Sequence, residues 1–582
     1  MTNGEIAAAF ERIALLLELK GENPFRVRAY ERAAQMITAH PREMRDLHSH
    51  GGVDALKELP GIGEDLADKI AEMVTTGRLV YATKLQKEFP EGLLAILDIE
   101  GIGPKKAKLL WQKFRVRSID ELETLAQSGK LEKLKGWGPT SVRNILRGIG
   151  DRRTLRARLP LPKALELAEE LCAALARSKM CNRLEIAGSL RRRKETIGDI
   201  DLLATSRRPE EVMDAFCALP AVQRVIGRGP TKASVLLRSG VQADLRVVDP
   251  AVFGAALHYF TGGKEHNVIV RTMARKRGIT ISEYGAFRGS AERKGKLLAS
   301  RTEEDIFAAV GLPWIAPELR EGRGEIEAAQ KDALPSLITE DAIRGDMHVH
   351  TDFSDGTASA VAMAKAAKAV GYDYIAITDH ASPMGMVRGI KTGNIDAYLT
   401  MIDDARRRVP GIHILAGAEV DILPDGRLYL PDSVLAKLDW VVASIHQAFR
   451  QSRAEMTKRV LRAVAHPNVH LLGHPTARLL GQRTGIDIDM EAVLHAAKKQ
   501  GIAVEHNASP ERLDLPDVFL RRAKELGVPV CIDSDAHDTD GYDKRFGISQ
   551  ARRGWLEAGD VFNAWTWKEA NRWMSQRRSK SR

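Results

Sequence analysis

From residue 343 onward, short apolar runs alternate with helical patterns along the chain. Examples of the runs are 374–377, 412–415, 440–443 and 528–532. This alternation predicts a parallel sheet or barrel of β and α units, in which functional side chains lie at the carboxyl ends of the strands. Eleven of the 16 histidines fall in this part of the chain, which points to bound metal.

Side chains that can bind metal ions follow these apolar runs. A single histidine is more often a core residue, but a series of such side chains at successive strand ends favours a shared metal centre. Mixed imidazole and carboxylate ligands suit Mn²⁺ or Zn²⁺, and adjacent ions would activate a water and clamp a phosphate. Glu505 and Asn507 follow another strand and are expected to support the ligands. The motifs that carry such side chains are 346–356, 378–380, 417–419, 444–446, 473–475 and 534–537.

A second acidic motif lies near the middle of the chain. Asp199 and Asp201 are two residues apart on a predicted strand, so their side chains face the same side. Asp244, on a neighbouring predicted strand, is the best-placed third carboxylate. Three such carboxylates can hold two Mg²⁺ or Mn²⁺ ions, which bind a triphosphate and lower the pKa of an attacking 3′-hydroxyl.

The segment before these aspartates suggests a phosphate-binding turn. Ser189 and Arg192 are expected to hold an incoming triphosphate through a hydroxyl and a charged guanidinium. We assign Gly188 and Gly198 of the same segment to the nucleotide site. A Gly-Ser pair followed by Asp-x-Asp is shared by many nucleotidyltransferases, so it indicates a chemistry rather than a substrate.

The first 150 or so residues form short predicted helices separated by glycine turns. One phrase recurs at 59–63 and 99–104, and loosely at 135–139, where Trp137 replaces a small apolar residue. A Gly-x-Gly turn before a helix lets backbone N–H groups bind a phosphate without reading base sequence. The alternative is a glycine cap between packed helices, but two good copies favour a helix–hairpin–helix DNA contact. The residues predicted to contact DNA there are Gly61, Gly63, Gly101, Gly103, Lys105 and Lys106.

The segment 258–267 narrows the substrate, because it resembles the sugar-contacting segment of family X DNA polymerases, the family of polymerase beta. The resemblance covers roughly residues 1–315. It implies that the backbone at Tyr259, Phe260 and Gly262 packs against the nascent sugar, that Asn267 lies near the incoming base, and that Arg271 touches the template. Gly263 departs from the pattern, since many members have serine there.

The C-terminal pattern resembles the PHP (polymerase and histidinol phosphatase) domain, and the fusion of the two regions resembles bacterial and archaeal PolX proteins nearly end to end. The PHP resemblance implies up to three Mn²⁺ or Zn²⁺ ions, with Glu419 bridging two of them. The nine ligands that it implies are His348, His350, Asp355, His380, Glu419, His446, His474, Asp535 and His537. The expected fold is multidomain, with α-helical helix–hairpin–helix domains, an α+β nucleotidyltransferase palm with a small α+β subdomain, and a distorted (β/α)₇ PHP barrel. The expected domains are residues 1–80 and 81–152 (helix–hairpin–helix), 153–248 (palm), 249–317 (nucleotide- and template-contacting), 318–341 (linker), 342–575 (PHP) and 576–582 (basic tail).

Some members of the polymerase family use an N-terminal lysine as a Schiff-base nucleophile on deoxyribose phosphate, and Lys69 aligns with that position. An amine of lowered pKa attacks an aldehyde in this way. Arg26 and Asp65, however, stand where the family's lyases carry lysines. A phosphate-binding or solvated role for Lys69 is therefore favoured over the lyase role.

The resemblance implies template-directed filling of short gaps in DNA repair. It also implies 3′–5′ exonuclease activity in the PHP domain, with abasic-site or 3′-phosphate processing as further activities to test. The alternatives are a PHP phosphoesterase with a non-polymerising DNA-targeting region, and a non-enzymatic scaffold for DNA ends. A net charge of +11 permits a polyanionic partner. We expect gapped or nicked double-stranded DNA and dNTPs as partners, no membrane, a monomer, and a cytoplasmic, nucleoid-associated location in which the four unpaired cysteines are free thiols.

Overall fold

The computed structural model contains two compact units, Met1–Ala157 and Arg158–Arg582. Among the residues that the structure describes, no helix is both long and apolar enough to cross a membrane. All four cysteines are free, as their spacing predicted. The structure describes residues 1, 3–40, 42–97, 102–131, 137–138, 142, 145–146, 158–289, 294–383 and 388–580.

The first unit is built from helices that pack on one apolar core. Its N-terminal helix is amphipathic and buries Ile6, Phe10 and Leu17 on one face. Each such side chain contributes about 1.5–3 kcal/mol by leaving water. The described helices are α1 (Asn3–Lys20), α2 (Pro24–Ala39), α3 (Met44–Lys57, kinked at Gly52), α4 (Glu64–Thr76), α5 (Val80–Lys87), α6 (Glu91–Leu97), α7 (Pro104–Phe114) and α8 (Ile119–Gln127).

The second unit begins with the palm, a five-stranded sheet in the order β2-β4-β7-β6-β5. Only β4 and β7 run parallel, and the other neighbours are antiparallel. The elements are β1 (Leu159–Pro160), α9 (Leu161–Arg177), β2 (Arg183–Ile186), α10 (Gly188–Arg191), β3 (Thr196–Ile197), β4 (Asp199–Thr205), α11 (Pro209–Cys217), β5 (Val222–Arg228), β6 (Lys232–Leu237) and β7 (Gln242–Val248).

A smaller subdomain follows the palm. Its antiparallel sheet has the order β10-β9-β8 and packs with helices on a separate apolar core. The expected linker, 318–341, is packed rather than loose, since Arg320 and Glu325 are fully buried. The elements are α12 (Phe253–Thr261), α13 (Lys264–Lys276), β8 (Ile279–Ser282), β9 (Gly285–Gly289), β10 (Lys294–Ala299), α14 (Glu303–Ala309) and α15 (Glu325–Gln330).

The remainder forms a nearly closed parallel barrel. Seven strands follow one another in sequence order, β13 pairs with β14 beside them, and a bridge between Val349 and Ala536 brings the first and last strands together. The elements are β11 (Gly345–Val349), α16 (Ala360–Val370), β12 (Tyr374–Ile377), β13 (His380–Ala381), α17 (Ile395–Arg408), β14 (His413–Asp421), α18 (Asp432–Leu435), β15 (Trp440–Ser444), α19 (Arg453–Val464), β16 (Leu471–Leu472), α20 (Met490–Gln500), β17 (Ala503–Asn507), α21 (Asp517–Leu526), β18 (Val530–Asp533), α22 (Arg545–Arg553) and α23 (Trp567–Lys580).

The predicted fold class is confirmed, and one predicted strand differs in extent. In the palm, β2 ends at Ile186, because Gly188 turns the chain into α10 with a φ of 61°. The run predicted at 412–415 continues as β14 to Asp421, because this strand pairs first with β12 and then with β13. Glu419 therefore lies inside a strand rather than after its end.

Candidate active sites

The three predicted palm carboxylates are neighbours in the sheet. Asp201 lies opposite Asp244 in the parallel register of β4 and β7, and Asp199 lies opposite Gln242. In β7 the apolar residues face the core, so Asp244 projects from the other face. Burial, together with the charges of Asp199 and Asp244, raises the pKa of Asp201 to about 7. A divalent cation would relieve this repulsion, so the donor set fits a metal pair.

Gly188 allows the phosphate-binding turn to approach these carboxylates. Its φ of 61° lies in the left-handed region, and a Cβ at this position would overlap the Asp201 carboxylate. The adjacent Ala187 N–H donates to the backbone oxygen of Asp201 at 2.8 Å. Helix α10, which starts at Gly188, thereby carries Ser189 alongside the carboxylates.

Arg192 ties this turn to the segment that resembles the sugar-contacting region. Its Nε donates to Glu321 at 3.1 Å, and its Nη1 donates to the Thr261 carbonyl at 2.5 Å. A Cβ on Gly262 would lie 3.0 Å from Nη1 of Arg192. The arginine and the glycine predicted at the nucleotide site are therefore in close contact.

The aromatic pair Tyr259 and Phe260 is half-buried, with ring centroids 5.1 Å apart in an edge-to-face arrangement. Asn267 donates from Nδ2 to the Tyr259 carbonyl at 2.9 Å, and Arg271 donates to the Asn267 carbonyl at 3.2 Å. These four predicted residues are thus close neighbours at the end of α12 and in α13, linked by ring packing and hydrogen bonds, and Asn267 among them is buried. Their roles toward sugar, base and template stay predictions.

The structure explains why glycine occupies position 263. The Gly263 N–H donates to the Arg320 carbonyl at 2.9 Å, and a Cβ on Gly263 would lie 2.9 Å from that same oxygen. A serine side chain would have to displace the backbone at Arg320. The departure from the family pattern is thus matched by tight local packing.

The nine predicted PHP residues converge on one end of the barrel. Eight of them form three overlapping groups whose ligand atoms lie within 4.8 Å of one another. The ninth, His474, places Nε2 2.9 Å from Oε1 of Glu419. The groups are His350, Asp355, His380 and His537; His348, His350 and Asp535; and His380, Glu419 and His446.

The chemistry of this cluster fits divalent cations. Among the described residues, Nε2 of His348 and both ring nitrogens of His350 are buried without a hydrogen-bond partner. Burial opposes imidazolium, yet the Glu419 carboxylate raises the pKa of His380 to about 11 and, likewise against burial, that of His446 to about 9. The buried carboxylates thus attract positive charge. Either protonated imidazoles or bound metal ions can supply it.

Neighbouring carboxylates and amides orient these ligands. Glu505 accepts from Nδ1 of His348 at 2.7 Å, and Asn507 donates to Asp535 at 3.0 Å, so both predicted supporting residues contact ligands. Sequence reasoning missed Asp421, whose Oδ1 lies 2.7 Å from Nδ1 of His446. The signal was present, because Asp421 stands two residues after Glu419 and shares its face of β14.

The helix–hairpin–helix turns lie in the first unit. Gly61 has a φ of 83°, and a Cβ on Gly61, Gly63 or Gly103 would meet open space, as a phosphate-binding turn requires. Helix α4 begins with two acidic residues, whereas α7 begins with Pro-Lys-Lys, so the second turn suits an anion better. Gly101 and the side chain of Lys105 lie outside the described residues. Nζ of Lys106 lies 5.1 Å from the ring centre of Trp137, which is buried in the core of this unit.

Lys69, the candidate lyase residue, is held in an ion pair with Asp65 one helical turn away. Its ammonium also lies 5.1 Å from the ring centre of Tyr81, whose hydroxyl accepts from Arg26. This ion pair engages the amine that would have to attack the sugar in Schiff-base chemistry. These contacts favour the phosphate-binding or solvated role of Lys69.

Comparison with known proteins finds family models that match four parts of the chain. The family models that match are a helix-hairpin-helix domain at residues 1–79, a SAM-like helix-hairpin-helix tandem at 93–151, a DNA polymerase beta thumb at 256–321 and a PHP domain at 346–509. DNA polymerase lambda from Rattus norvegicus is 26% identical over 289 residues, which cover 45% of this chain and 48% of the relative. A probable phosphatase from Thermoanaerobacter sp. (strain X514) is 33% identical over 204 residues, which cover 33% of this chain and 78% of the relative.

Fold and site together define a polymerase beta-like nucleotidyltransferase joined to a PHP domain. The DNA polymerase/3′-5′ exonuclease PolX of Bacillus subtilis (strain 168) is 36% identical over 579 residues, which cover 99% of this chain and all of the relative. The chain therefore belongs to the PolX family of DNA polymerase/3′-5′ exonucleases.

Proposed function

We propose that this chain fills short gaps in DNA from dNTPs and trims 3′ ends with its PHP domain, so that one protein cleans an end and then extends it. Two separate groups of cation ligands within the second compact unit carry this proposal: three carboxylates on β4 and β7, and nine ligand-type side chains in the barrel. The full-length PolX relative combines both activities in its name. The helix–hairpin–helix turns would hold the DNA backbone without reading its sequence.

In the polymerase site, Ser189 and Arg192 bind the triphosphate of the incoming nucleotide. Tyr259, Phe260 and Asn267 position the sugar and base of this nucleotide. Asp199, Asp201 and Asp244 would hold Mg²⁺ or Mn²⁺, which would supply a lowered pKa of the 3′-hydroxyl and positive charge for the leaving pyrophosphate. The protein supplies mainly orientation and preorganised charge.

In the PHP site, the nine ligand-type side chains would hold Mn²⁺ or Zn²⁺, which would supply an activated water and charge neutralisation for phosphodiester hydrolysis. Glu419 is central, because His380, His446 and His474 all contact its carboxylate. Glu505 fixes the ring of His348 through Nδ1 and leaves Nε2 to face the cluster. Abasic-site and 3′-phosphate processing are the finer activities that this site would support.

A DNA substrate with a 5′-phosphorylated one-nucleotide gap tests the division of labour. Asp199→Ala should abolish incorporation and leave 3′–5′ hydrolysis intact, while His348→Ala should do the reverse. Matched controls are Asp214→Ala on palm helix α11 and His495→Ala on barrel helix α20, since both side chains are largely exposed. Each control should keep both activities within about twofold of the parent protein.

Equal loss of both activities from either active-site substitution would contradict two separate sites. Hydrolysis without any incorporation by the parent protein would instead support a PHP phosphoesterase with a DNA-targeting region. Absence of both metal-dependent reactions would leave the non-enzymatic scaffold.

A further inference from the structure

The palm meets the PHP barrel at helix α22, and this contact reaches the nucleotide-binding turn. Phe546 at the start of α22 and Leu513 of the barrel are buried in the apolar core of the palm. Nε2 of Gln550 donates to the Arg193 carbonyl at 2.6 Å. The end of the helix is thereby fixed against the backbone that carries Arg192.

Arg553, the last residue of α22, contacts Arg192 in two ways. Its Nη1 donates to the Arg192 carbonyl at 2.7 Å and to Oε1 of Glu321 at 2.9 Å. That same Glu321 oxygen accepts from Nε of Arg192 at 3.1 Å. A PHP side chain therefore holds the Arg192 backbone directly and the Arg192 guanidinium through one shared carboxylate.

The network of Arg553, Glu321 and Arg192 consists of charged side chains that are buried, so each charge depends on its partners for compensation. The side chains of Arg553, Glu321 and Arg192 are 5%, 11% and 12% exposed, respectively. Burial would raise the pKa of Glu321, but the charges of Arg553 and Arg192 lower it to about 2. Asp517 holds Nη2 of Arg553 at 2.9 Å. A buried carboxylate that loses one of its cations draws more strongly on those that remain, here Arg192 at 3.1 Å and Lys194 at 4.0 Å.

We propose that Arg553 of the PHP domain is a positioning residue for nucleotide incorporation in the palm. It satisfies part of the charge of Glu321 and anchors the Arg192 backbone, so that the Arg192 guanidinium is held ready for the incoming triphosphate. Without Arg553, Glu321 would compete with the triphosphate for Arg192. This inference rests on the proposed role of Arg192 in binding the nucleotide.

Steady-state incorporation into the one-nucleotide gap tests the inference with two variants of Arg553. Arg553→Ala should raise KM for the dNTP about tenfold and leave kcat within about twofold, because the loss falls on nucleotide binding. Arg553→Lys keeps one charge but not the paired hydrogen bonds, so KM should rise about threefold. Arg553→Lys decides the question alone if Arg553→Ala does not fold, and an unchanged KM would then overturn the proposal.

The neighbouring arginine supplies a matched control. Arg552 lies on the same helix and pairs with Glu318 at 2.8 Å and with the Ile338 carbonyl at 3.0 Å. It therefore anchors α22 to the preceding segment through other partners than Arg192 and Glu321. Arg552→Ala should leave KM for the dNTP within about twofold, and an equal rise in KM would show a general structural effect and overturn the proposal.

The double variant Arg192→Ala/Arg553→Ala shows whether Arg553 acts through Arg192. Arg192→Ala alone should raise KM, and adding Arg553→Ala should then change it less than twofold. A full tenfold further rise would overturn the inference while leaving the role of Arg192 intact. An unchanged KM in Arg192→Ala would refute the proposed nucleotide role itself, and the inference with it.

Discussion

The negative charge of Asp201 lowers the free energy of unfolding of the metal-free protein. We therefore predict that Asp201→Asn stabilises it. The neighbouring carboxylates and burial raise the Asp201 pKa from an ordinary 3.8 to about 7. At about 1.36 kcal/mol for each factor of ten in proton affinity, the ionised carboxylate costs about 4 kcal/mol. Asparagine has nearly the same shape and carries no charge, so it removes this cost.

The pH dependence gives the prediction its sharpest form. The folded protein binds the Asp201 proton more tightly than the unfolded chain does, so the parent protein loses stability as the pH rises from about 4 to about 7. The free energy of unfolding gained by Asp201→Asn should therefore be close to zero near pH 4. It should grow to a few kcal/mol by pH 7 and stay constant above that pH.

Urea unfolding of the full chain in EDTA at pH 5 and pH 8, followed by circular dichroism, measures this difference. Asp214→Asn serves as the control, because its exposed ion pair with Arg228 should contribute less than about 1 kcal/mol at either pH. Added Mg²⁺ should stabilise the parent protein more than Asp201→Asn, because the variant lacks one palm carboxylate while the barrel cluster is the same in both. A destabilised Asp201→Asn at pH 8 in EDTA, or an equal effect at both pH values, would refute the reasoning.

Three further substitutions have defined outcomes. Gly188→Ala should lower gap filling at least 100-fold and spare 3′–5′ hydrolysis. The left-handed backbone costs alanine about 1–2 kcal/mol, and the new Cβ displaces the Asp201 carboxylate. Normal incorporation would contradict this. Glu505→Gln should weaken metal binding about 10–100-fold, since it disturbs the hydrogen bond to His348, and competition with a chelator measures it; unchanged affinity would exclude this role. Gly263→Ser should lower the free energy of unfolding by about 1–3 kcal/mol, because its Cβ meets a backbone oxygen at 2.9 Å; urea unfolding at the parent midpoint would disprove the tight fit.

The sequence predicted many residues of the two candidate sites, because these residues follow the regular repeats of strands and turns. Asp199 and Asp201 share a face by the two-residue repeat of β4, and the PHP ligands sit on or just after successive strands. The same repeat would have identified Asp421 beside Glu419. The same kind of reasoning places Asp65 one helical turn before Lys69, where the two side chains pair, while the role of Lys69 stays a prediction.

The sequence by itself determined which residues share a face of each strand and helix, because the face depends only on the regular backbone repeat. It did not determine that Arg553 would meet Glu321 and Arg192, which are separated from it by more than 200 residues. Nor did it reveal that Gly263 faces a carbonyl from the segment expected to be a linker. Such contacts depend on how whole elements pack, and packing is settled by the summed burial and charge pairing of many residues at once.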